Sequence, residues 1–166
     1  MQWVVCMGVA GSGKSSLGAL IAARLDLPFI EGDDFHSAES RRKMHAGIAL
    51  TDADRASWLA LLSQQLAAHQ AGAILACSAL KKSYRDRLRA AVPGLGFVYL
   101  DIAPAVARER VAARAHQHLF PASLVDSQFA SLEAPMGEPG VLRLSGTESA
   151  DRLAVQAVAW IEAGRA

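Results

Sequence analysis

Eight residues near the start of the chain have the types and spacing of a phosphate-binding loop. They match G-x-x-x-x-G-K-[ST] at every fixed position, from Gly8 to Ser15. Glycines here let backbone N–H groups turn inward around an anion at a helix N-terminus. Lys14 is expected to reach the β- and γ-phosphates of a nucleoside triphosphate, and the Ser15 hydroxyl to coordinate Mg²⁺. The expected nucleotide-binding residues are Gly8, Val9, Ala10, Gly11, Ser12, Gly13, Lys14, Ser15 and Ser16.

The alternative is a glycine-rich turn that matches this pattern by chance. The context argues against it, because the apolar run 3–7 before the loop is typical of a central parallel strand. The segment 14–25 after the loop places Leu17, Ile21 and Leu25 on one helical face. The motif therefore predicts a triphosphate site, and it leaves the group that receives the phosphate open.

Acidic residues that could serve an acceptor follow the second predicted strand. This strand covers residues 28–30 and ends in a segment that contains Asp33 and Asp34. A carboxylate facing the γ-phosphate could orient an acceptor hydroxyl, accept its proton or hold a magnesium-bound water, and Asp33 is the candidate base. The third strand ends without a carboxylate. The open alternative is that Asp33, Asp34 and His36 form a solvated loop with a helix cap.

Two basic groups follow, and they could bind an acidic substrate. Their members are Arg41, Arg42, Lys43 and Arg55, then Lys81, Lys82, Arg85, Arg87 and Arg89. Most charge runs are solvated helix faces, which is the expectation for Arg42, Lys82, Arg87 and Arg89. Lys81 is the best placed cation for an acidic substrate, because it lies just beyond the third predicted strand.

Arg110 and Arg114 lie four residues apart on one predicted helix and lead into a segment that breaks the helical pattern. This segment, about 115–122, is predicted to be a mobile flap within a single domain over residues 1–166. Arginines beside a closing flap could stabilise the charge on a phosphate in transfer. The alternative for the pair is surface pairing with Glu109 or Asp101.

Composition and charge narrow the class of protein. The chain has 166 residues, 52% hydrophobic and 20% charged, as expected for one globular domain. The net charge of +1 argues against wholesale binding of nucleic acid or anionic membranes. Cys6 and Cys77 lie in apolar runs and are expected to be core thiols rather than a disulfide. With no leader and no run of roughly 18 apolar residues, the expected location is cytoplasmic. His116 and His118, the one close histidine pair, lack further ligands at zinc spacing.

Strands alternate with helices along the chain. The predicted strands are 3–7, 28–30, 73–77, 97–100 and 141–144. The predicted helices are 14–25, 37–46, one from Thr51 to Gly72, 80–91, 104–114, 122–131 and one over about 150–161. This alternation predicts an α/β fold with a parallel sheet covered on both faces. Ligands bind beyond the carboxyl ends of such strands, where the segments 8–15, 31–36 and 78–82 would meet.

Over most of its length the chain resembles a gluconokinase of the small P-loop type, related to shikimate and adenylate kinases. The most specific stretch is Cys77-Ser78-Ala79-Leu80-Lys81-Lys82 followed by Tyr84-Arg85-Asp86. Further matching residues are Met7 to Val9, Gly11 to Ser15, Gly32-Asp33 with His36, Lys43-Met44, Gly47, Leu50, Asp52, Asp54-Arg55, Trp58-Leu59, Leu88-Arg89, Tyr99-Leu100, the Arg110 and Arg114 pair, Ser127-Gln128-Phe129, Leu132-Glu133 and Pro135.

The resemblance implies ATP-dependent phosphorylation of D-gluconate at its 6-hydroxyl, in a homodimer. It also implies a three-layer P-loop kinase fold whose five parallel strands have the order 2-3-1-4-5, with a short lid. By position, Asp33 would lie near the acceptor hydroxyl, with His36, Arg55 and Lys81 around the sugar acid. Arg110 and Arg114 would be lid residues near ATP, and either Lys81 or Arg55 could bind the substrate carboxylate.

Residues 116–121 depart from the Gly-His-aromatic run expected of the lid. Two other functions remain open. The first is a kinase for another small acid such as shikimate, although such enzymes usually carry a glycine-rich stretch where this chain has residues 78–80. The second is a nucleotide-dependent binding or nucleic-acid-processing module that uses the basic helix 81–89. The near-neutral charge and the absence of an aromatic stacking platform in the sequence argue against the second.

Overall fold

The computed structural model describes residues 2–114 and 121–164. Most of the predicted flap, about 115–122, therefore lies outside the described residues, including His116 and His118. Within the described ranges, no helix has both the length and the apolar character needed to cross a membrane.

Five parallel strands form one sheet. The strands are β1 Gln2–Met7, β2 Phe29–Glu31, β3 Gly72–Ala76, β4 Gly96–Asp101 and β5 Val141–Ser145. Their order is β2-β3-β1-β4-β5, which confirms the predicted topology. Because β1 is central, Val5 pairs with Leu75 of β3 on one side and Phe97 of β4 on the other. The loop that follows β1 consequently leaves the middle of the sheet.

Seven helices surround this sheet in the described part of the chain. They are α1 Lys14–Leu25, α2 Ala38–His45, α3 Asp52–Ala68, α4 Lys82–Ala91, α5 Pro104–Ala113, α6 Val125–Ser131 and α7 Ala150–Glu162. Gly32–Phe35 and Ala122–Leu124 are short 3-10 turns. Thr51 caps α3 in a capping box, since Thr51 Oγ1 accepts the Asp54 N–H at 3.1 Å and Asp54 accepts the Thr51 N–H at 2.9 Å.

The core has two layers because side chains of a strand alternate between its faces. Val5, Leu75 and Phe97 contact a layer with α3 and α4. Val4 and Val98 contact the opposite layer with α1 and α7.

The two cysteines are free and buried, as the sequence predicts, and they lie on opposite faces of the sheet. Burial raises the pKa of each thiol, Cys6 and Cys77, to about 12. Both are therefore protonated packing groups rather than nucleophiles.

Candidate active site

The phosphate loop leaves the buried end of β1 and runs directly into α1. Gly11 has a φ of +80°, and a Cβ there would lie 2.9 Å from the carbonyl oxygen of Ala107, so only glycine suits this position. The Lys14 ammonium donates to the carbonyl of Val9 at 3.5 Å, so the loop folds around the lysine side chain. The geometry is that of an anion nest at a helix N-terminus.

Two serines of this loop fit the phosphates and the metal of a magnesium nucleotide. The Ser12 hydroxyl oxygen is buried and has no hydrogen-bond partner among the described residues, so the loop is incomplete without an oxyanion. The Ser15 side chain hydrogen-bonds the carboxylate of Glu31 at the end of β2. A hydroxyl beside a carboxylate is an oxygen donor set that suits Mg²⁺. Ser16, the last predicted member of the loop, is exposed.

Glu31 was given no role from the sequence. Burial raises its pKa, while the hydrogen bond from Ser15 acts in the opposite direction. One of its carboxylate oxygens is buried without a partner in the described part of the chain. The signal for it was its position, since it ends a strand two residues before Asp33 and therefore near the same sheet edge.

A cavity opens between the phosphate loop and the carboxyl ends of β2 and β3. Its lining residues are Ala10, Lys14, Asp33, His36, Met44, Ala49, Leu50, Arg55, Trp58, Ser78, Leu124, Ser127 and Gln128. The structure thus brings together five of the predicted site residues: Ala10, Lys14, Asp33, His36 and Arg55. Lys81, Arg110 and Arg114 are not part of this lining.

Gly32 makes the position of Asp33 possible. A Cβ on Gly32 would lie 2.4 Å from the carbonyl oxygen of Ala76, so the chain passes directly against the end of β3. The Trp58 indole N–H donates to the carbonyl of Gly32 at 2.7 Å and fixes the turn from the other side. The Asp33 side chain itself remains 56% exposed and lines the cavity.

His36 is buried, so the interpretation of this segment as a solvated loop is wrong for its side chain. Only 5% of that side chain is exposed, and the ring stacks on Trp58 with centroids 4.3 Å apart. Burial lowers the pKa of His36 to about 4; nearby Asp33 opposes this, while Arg41 and Arg55 add to it. The ring is therefore neutral at neutral pH, with Nε2 3.7 Å from Asp33 and a buried Nδ1 that lacks a partner among the described residues.

The two cations proposed for the substrate differ in their surroundings. Lys81 Nζ donates to Asp52 at 3.1 Å, and this carboxylate also accepts a hydrogen bond from the Tyr84 hydroxyl. Half-buried Arg55 lines the cavity and makes one long hydrogen bond, 3.4 Å from Nη1 to Tyr84 Oη. It has no carboxylate partner in the described part of the chain, whereas Lys81 has Asp52.

The paired arginines of α5 also differ. The Arg110 guanidinium donates to the carbonyl of Gly11 at 3.1 Å and so contacts the phosphate loop. Arg114 ends α5, is exposed, and makes no side-chain hydrogen bond to any described residue. Neither pairs with Asp101, which binds Arg143 instead.

Arg85 is the largest buried charged side chain of the described residues, at 1% exposure. It donates to the carbonyls of Ala79 and Glu133, each at 2.8 Å, and to the carboxylate of Glu138 at 2.8 Å. Ala79 has a φ of +45°, a conformation that alanine rarely adopts, so Arg85 holds a strained turn beside the cavity.

Four basic residues were predicted to lie on solvated helix faces, and the structure confirms this for three of them. Arg42, Lys82 and Arg87 are exposed. Arg89 is not, since its guanidinium lies 4.6 Å from the ring centre of Phe97.

Comparisons with known proteins agree with this geometry. Residues 4–139 match the family described as the AAA domain. The gluconokinase of Gluconobacter oxydans is 43% identical over 154 residues, which span 90% of this chain and 85% of the relative. The thermosensitive gluconokinase of Escherichia coli is 42% identical over 81% of this chain and 73% of its own length. The crystal structure of a gluconokinase from Sinorhizobium meliloti superposes with a TM-score of 0.89 at 42% identity, covering 98% of this chain and 92% of that one.

The sheet order and the phosphate loop define a P-loop kinase, an enzyme class that transfers the γ-phosphate of ATP. Within that class, the chain belongs to the gluconokinase family.

Proposed function

We propose that this protein transfers the γ-phosphate of ATP to the 6-hydroxyl of D-gluconate and releases 6-phospho-D-gluconate and ADP. The observation that carries the proposal is the cavity, which joins Lys14 of the phosphate loop to Asp33, His36 and Arg55 in a chain of this family. Gluconate is an anion with several hydroxyl groups, and the cavity offers it Arg55, besides Lys14 of the phosphate loop, and several hydrogen-bonding side chains.

Asp33 is proposed as the catalytic base. Its carboxylate is exposed at the cavity wall that also contains Lys14, so an acceptor hydroxyl can lie between the base and the terminal phosphate. Neutral His36 would bind a neighbouring hydroxyl, because a neutral imidazole offers both a donor and an acceptor.

Arg55 is proposed to bind the substrate carboxylate. Its guanidinium borders the cavity and has donors to spare, whereas the Lys81 ammonium already neutralises Asp52. Lys81 then acts through Asp52 and Tyr84, which hold Arg55 in place.

Mg²⁺ would be held by Ser15 and the phosphates, and Glu31 would contribute through its hydrogen bond with Ser15. When bound, the ion neutralises charge on the β- and γ-phosphates. Lys14, Arg110 and Arg114 would stabilise the same charge from the loop and from α5, and residues 115–122 would form the lid.

Three further proposals are supported mainly by membership of the gluconokinase family. They are a single kinase domain over residues 1–166, a homodimer and a cytoplasmic location. The two buried free thiols support the last, since they need no oxidising compartment. Sedimentation equilibrium of the purified chain tests the dimer directly.

The experiment that tests the function is a coupled assay of ADP release with ATP·Mg²⁺. Its acceptor panel contains gluconate, other aldonic acids, shikimate and no acceptor. We expect turnover with gluconate, and NMR spectroscopy of the product then identifies the phosphorylated hydroxyl through the coupling of phosphorus to the adjacent protons. Turnover with a different acid would support the kinase activity and contradict gluconate as the substrate. ATP hydrolysis without an acceptor would contradict both the kinase activity and the substrate.

A further inference from the structure

Gln128 connects the acceptor cavity to the phosphate loop from a helix far away in sequence. It lies on α6, and its side-chain oxygen accepts the Ala10 N–H at 2.7 Å across 118 residues of sequence. A backbone N–H can be accepted only by the oxygen of a carboxamide, so this bond fixes which end of the amide faces the loop.

The other end of the same amide is available for a ligand. No described residue accepts a hydrogen bond from the Gln128 nitrogen, and that nitrogen is not sealed from solvent. Gln128 lines the cavity together with Asp33 and Arg55, and its neighbour Ser127 does too. The lining that contains the proposed base therefore also contains a side chain with two N–H donors whose oxygen is already held by Ala10.

We propose that Gln128 is a positioning residue that couples the two substrates. Its oxygen fixes the first half of the phosphate loop, and its nitrogen donates to a hydroxyl or carboxylate oxygen of the acceptor. Occupation of either site orders the one side chain that both sites share, so binding at one site strengthens binding at the other. The acceptor part of this inference rests on the proposed function.

The test is to measure this coupling in variants of Gln128. Calorimetric titration gives the gluconate Kd with and without a saturating non-hydrolysable ATP analogue and Mg²⁺, and the ratio of the two values is the coupling factor. We expect Gln128→Met to lower this factor about fivefold, the effect of losing one or two net hydrogen bonds. Gln128→Ala should do the same, and thermal melting shows whether each variant is folded.

Gln64→Met is the matched control, because it makes the same change on an exposed face of α3. It should leave the coupling factor unchanged. A purely structural role of Gln128 would weaken both gluconate constants alike and leave their ratio at the wild-type value, and that result would overturn the inference.

Failure of the proposed function gives a different result. If the wild-type protein binds no gluconate, the proposed substrate is wrong. The claim that Gln128 fixes the phosphate loop is then tested by the Kd of the ATP analogue alone. Gln128→Met weakens that Kd if Gln128 holds Ala10, and an unchanged value overturns this part as well.

Discussion

At the scale of single residues, the side chains of Asp33 and His36 belong to the same short turn but differ in their exposure to solvent. Asp33 is 56% exposed at the cavity, whereas the His36 ring lies buried on Trp58. Water and substrate can therefore reach the carboxylate, while the imidazole is held rigid and neutral beside it. The two side chains are suited to different tasks, proton transfer for Asp33 and hydrogen bonding for His36.

Replacing Asp33 by Asn should lower kcat with gluconate by at least about 100-fold, the usual minimum for loss of a general base. Binding of an ATP analogue should stay nearly unchanged, because Asp33 lies on the acceptor side. Asp34→Asn is the matched control, since Asp34 is exposed and does not line the cavity. Unchanged turnover in the Asp33 variant would contradict its assignment as the base.

Arg55 and Lys81 are separated by comparing their KM values for gluconate. Arg55→Met should raise KM by about tenfold or more, as expected for a lost charge-assisted hydrogen bond. Lys81→Met should raise it only about threefold, since Lys81 acts through Asp52. If steady-state kinetics showed the larger KM increase for Lys81→Met, Lys81 rather than Arg55 would bind the substrate carboxylate.

The low pKa of His36, about 4, makes stability depend on pH. As pH falls from about 6.5 to 4, the unfolded chain takes up a proton at this histidine before the folded chain does, so the folded state loses up to about 3 kcal/mol. Urea unfolding of wild type and His36→Gln at several pH values checks this. The advantage of the wild type over the variant should shrink through that window, and a constant difference would contradict the buried neutral ring.

Sequence reasoning found the residues whose chemistry is carried by local pattern. Lys14 belongs to a contiguous motif, and Asp33 and His36 follow a strand end. Glu31 was given no role, and Arg85 and Gln128 were named only as members of a basic group or as residues shared with the family. Their contacts could not be predicted, because they join segments distant in sequence. A buried arginine in particular looks the same in sequence as its solvated neighbour Arg87.

At the scale of elements, helix α3 contributes two residues, Arg55 and Trp58, to the cavity proposed to bind the acceptor. Its first turn carries the capping box of Thr51 and an ion pair of 2.9 Å between Asp54 and Lys43 of α2. The Thr51 N–H holds the pKa of Asp54 down at about 2, and Lys43 adds to this effect. Arg55 and Trp58 follow within the next turn. The start of α3 therefore positions both the Arg55 guanidinium at the cavity and the Trp58 ring on which His36 stacks.

Thr51→Ala should lower the free energy of unfolding by about 1 kcal/mol through loss of the cap. The gluconate KM should rise as well, because Arg55 lies one residue beyond the capping box. Ser149→Ala removes the cap of α7, which contributes nothing to the cavity, and should cost a similar or smaller amount of stability with KM unchanged. Urea unfolding and steady-state kinetics on both variants decide whether the cap matters to the site.

Element bounds were predictable where local signals agree. Helix α1 has the predicted range because the phosphate loop fixes its start. Helix α4 was predicted from residue 80 but begins at Lys82, since the carbonyls of Ala79 and Leu80 bind the buried Arg85 guanidinium instead of a helix. The 3-10 turn Gly32–Phe35 was also beyond prediction, because its shape depends on contacts with Trp58 and the end of β3.

At the scale of the whole molecule, Arg85 joins the end of β3 to the segment before β5. It binds the carbonyl of Ala79 on one side and the carbonyl of Glu133 with the carboxylate of Glu138 on the other. The segment that follows β3 and the segment that precedes β5 are thereby connected, although these two strands are not neighbours in the sheet. The turn that carries Ser78 and Lys81 depends on this link.

Arg85→Met should cost about 3 kcal/mol of stability, because it leaves buried carbonyls without a donor and the buried Glu138 carboxylate with only Arg89, at 3.6 Å. Arg87→Met, on the exposed face of the same helix, should change stability by less than about 0.5 kcal/mol. Chemical denaturation measures both. Equal effects of the two substitutions would show that the buried link adds little to the fold.

The placement of Cys6 and Cys77 on opposite faces of the sheet makes the chain its own reporter of unfolding. Each thiol is buried with a pKa of about 12, so a thiol-reactive label can modify it only when its own layer opens. Cys6 reports on the layer of α1 and α7, and Cys77 on the layer of α3 and α4. Labelling rates followed by peptide mass spectrometry would show which layer separates first, with no cysteine introduced into the protein.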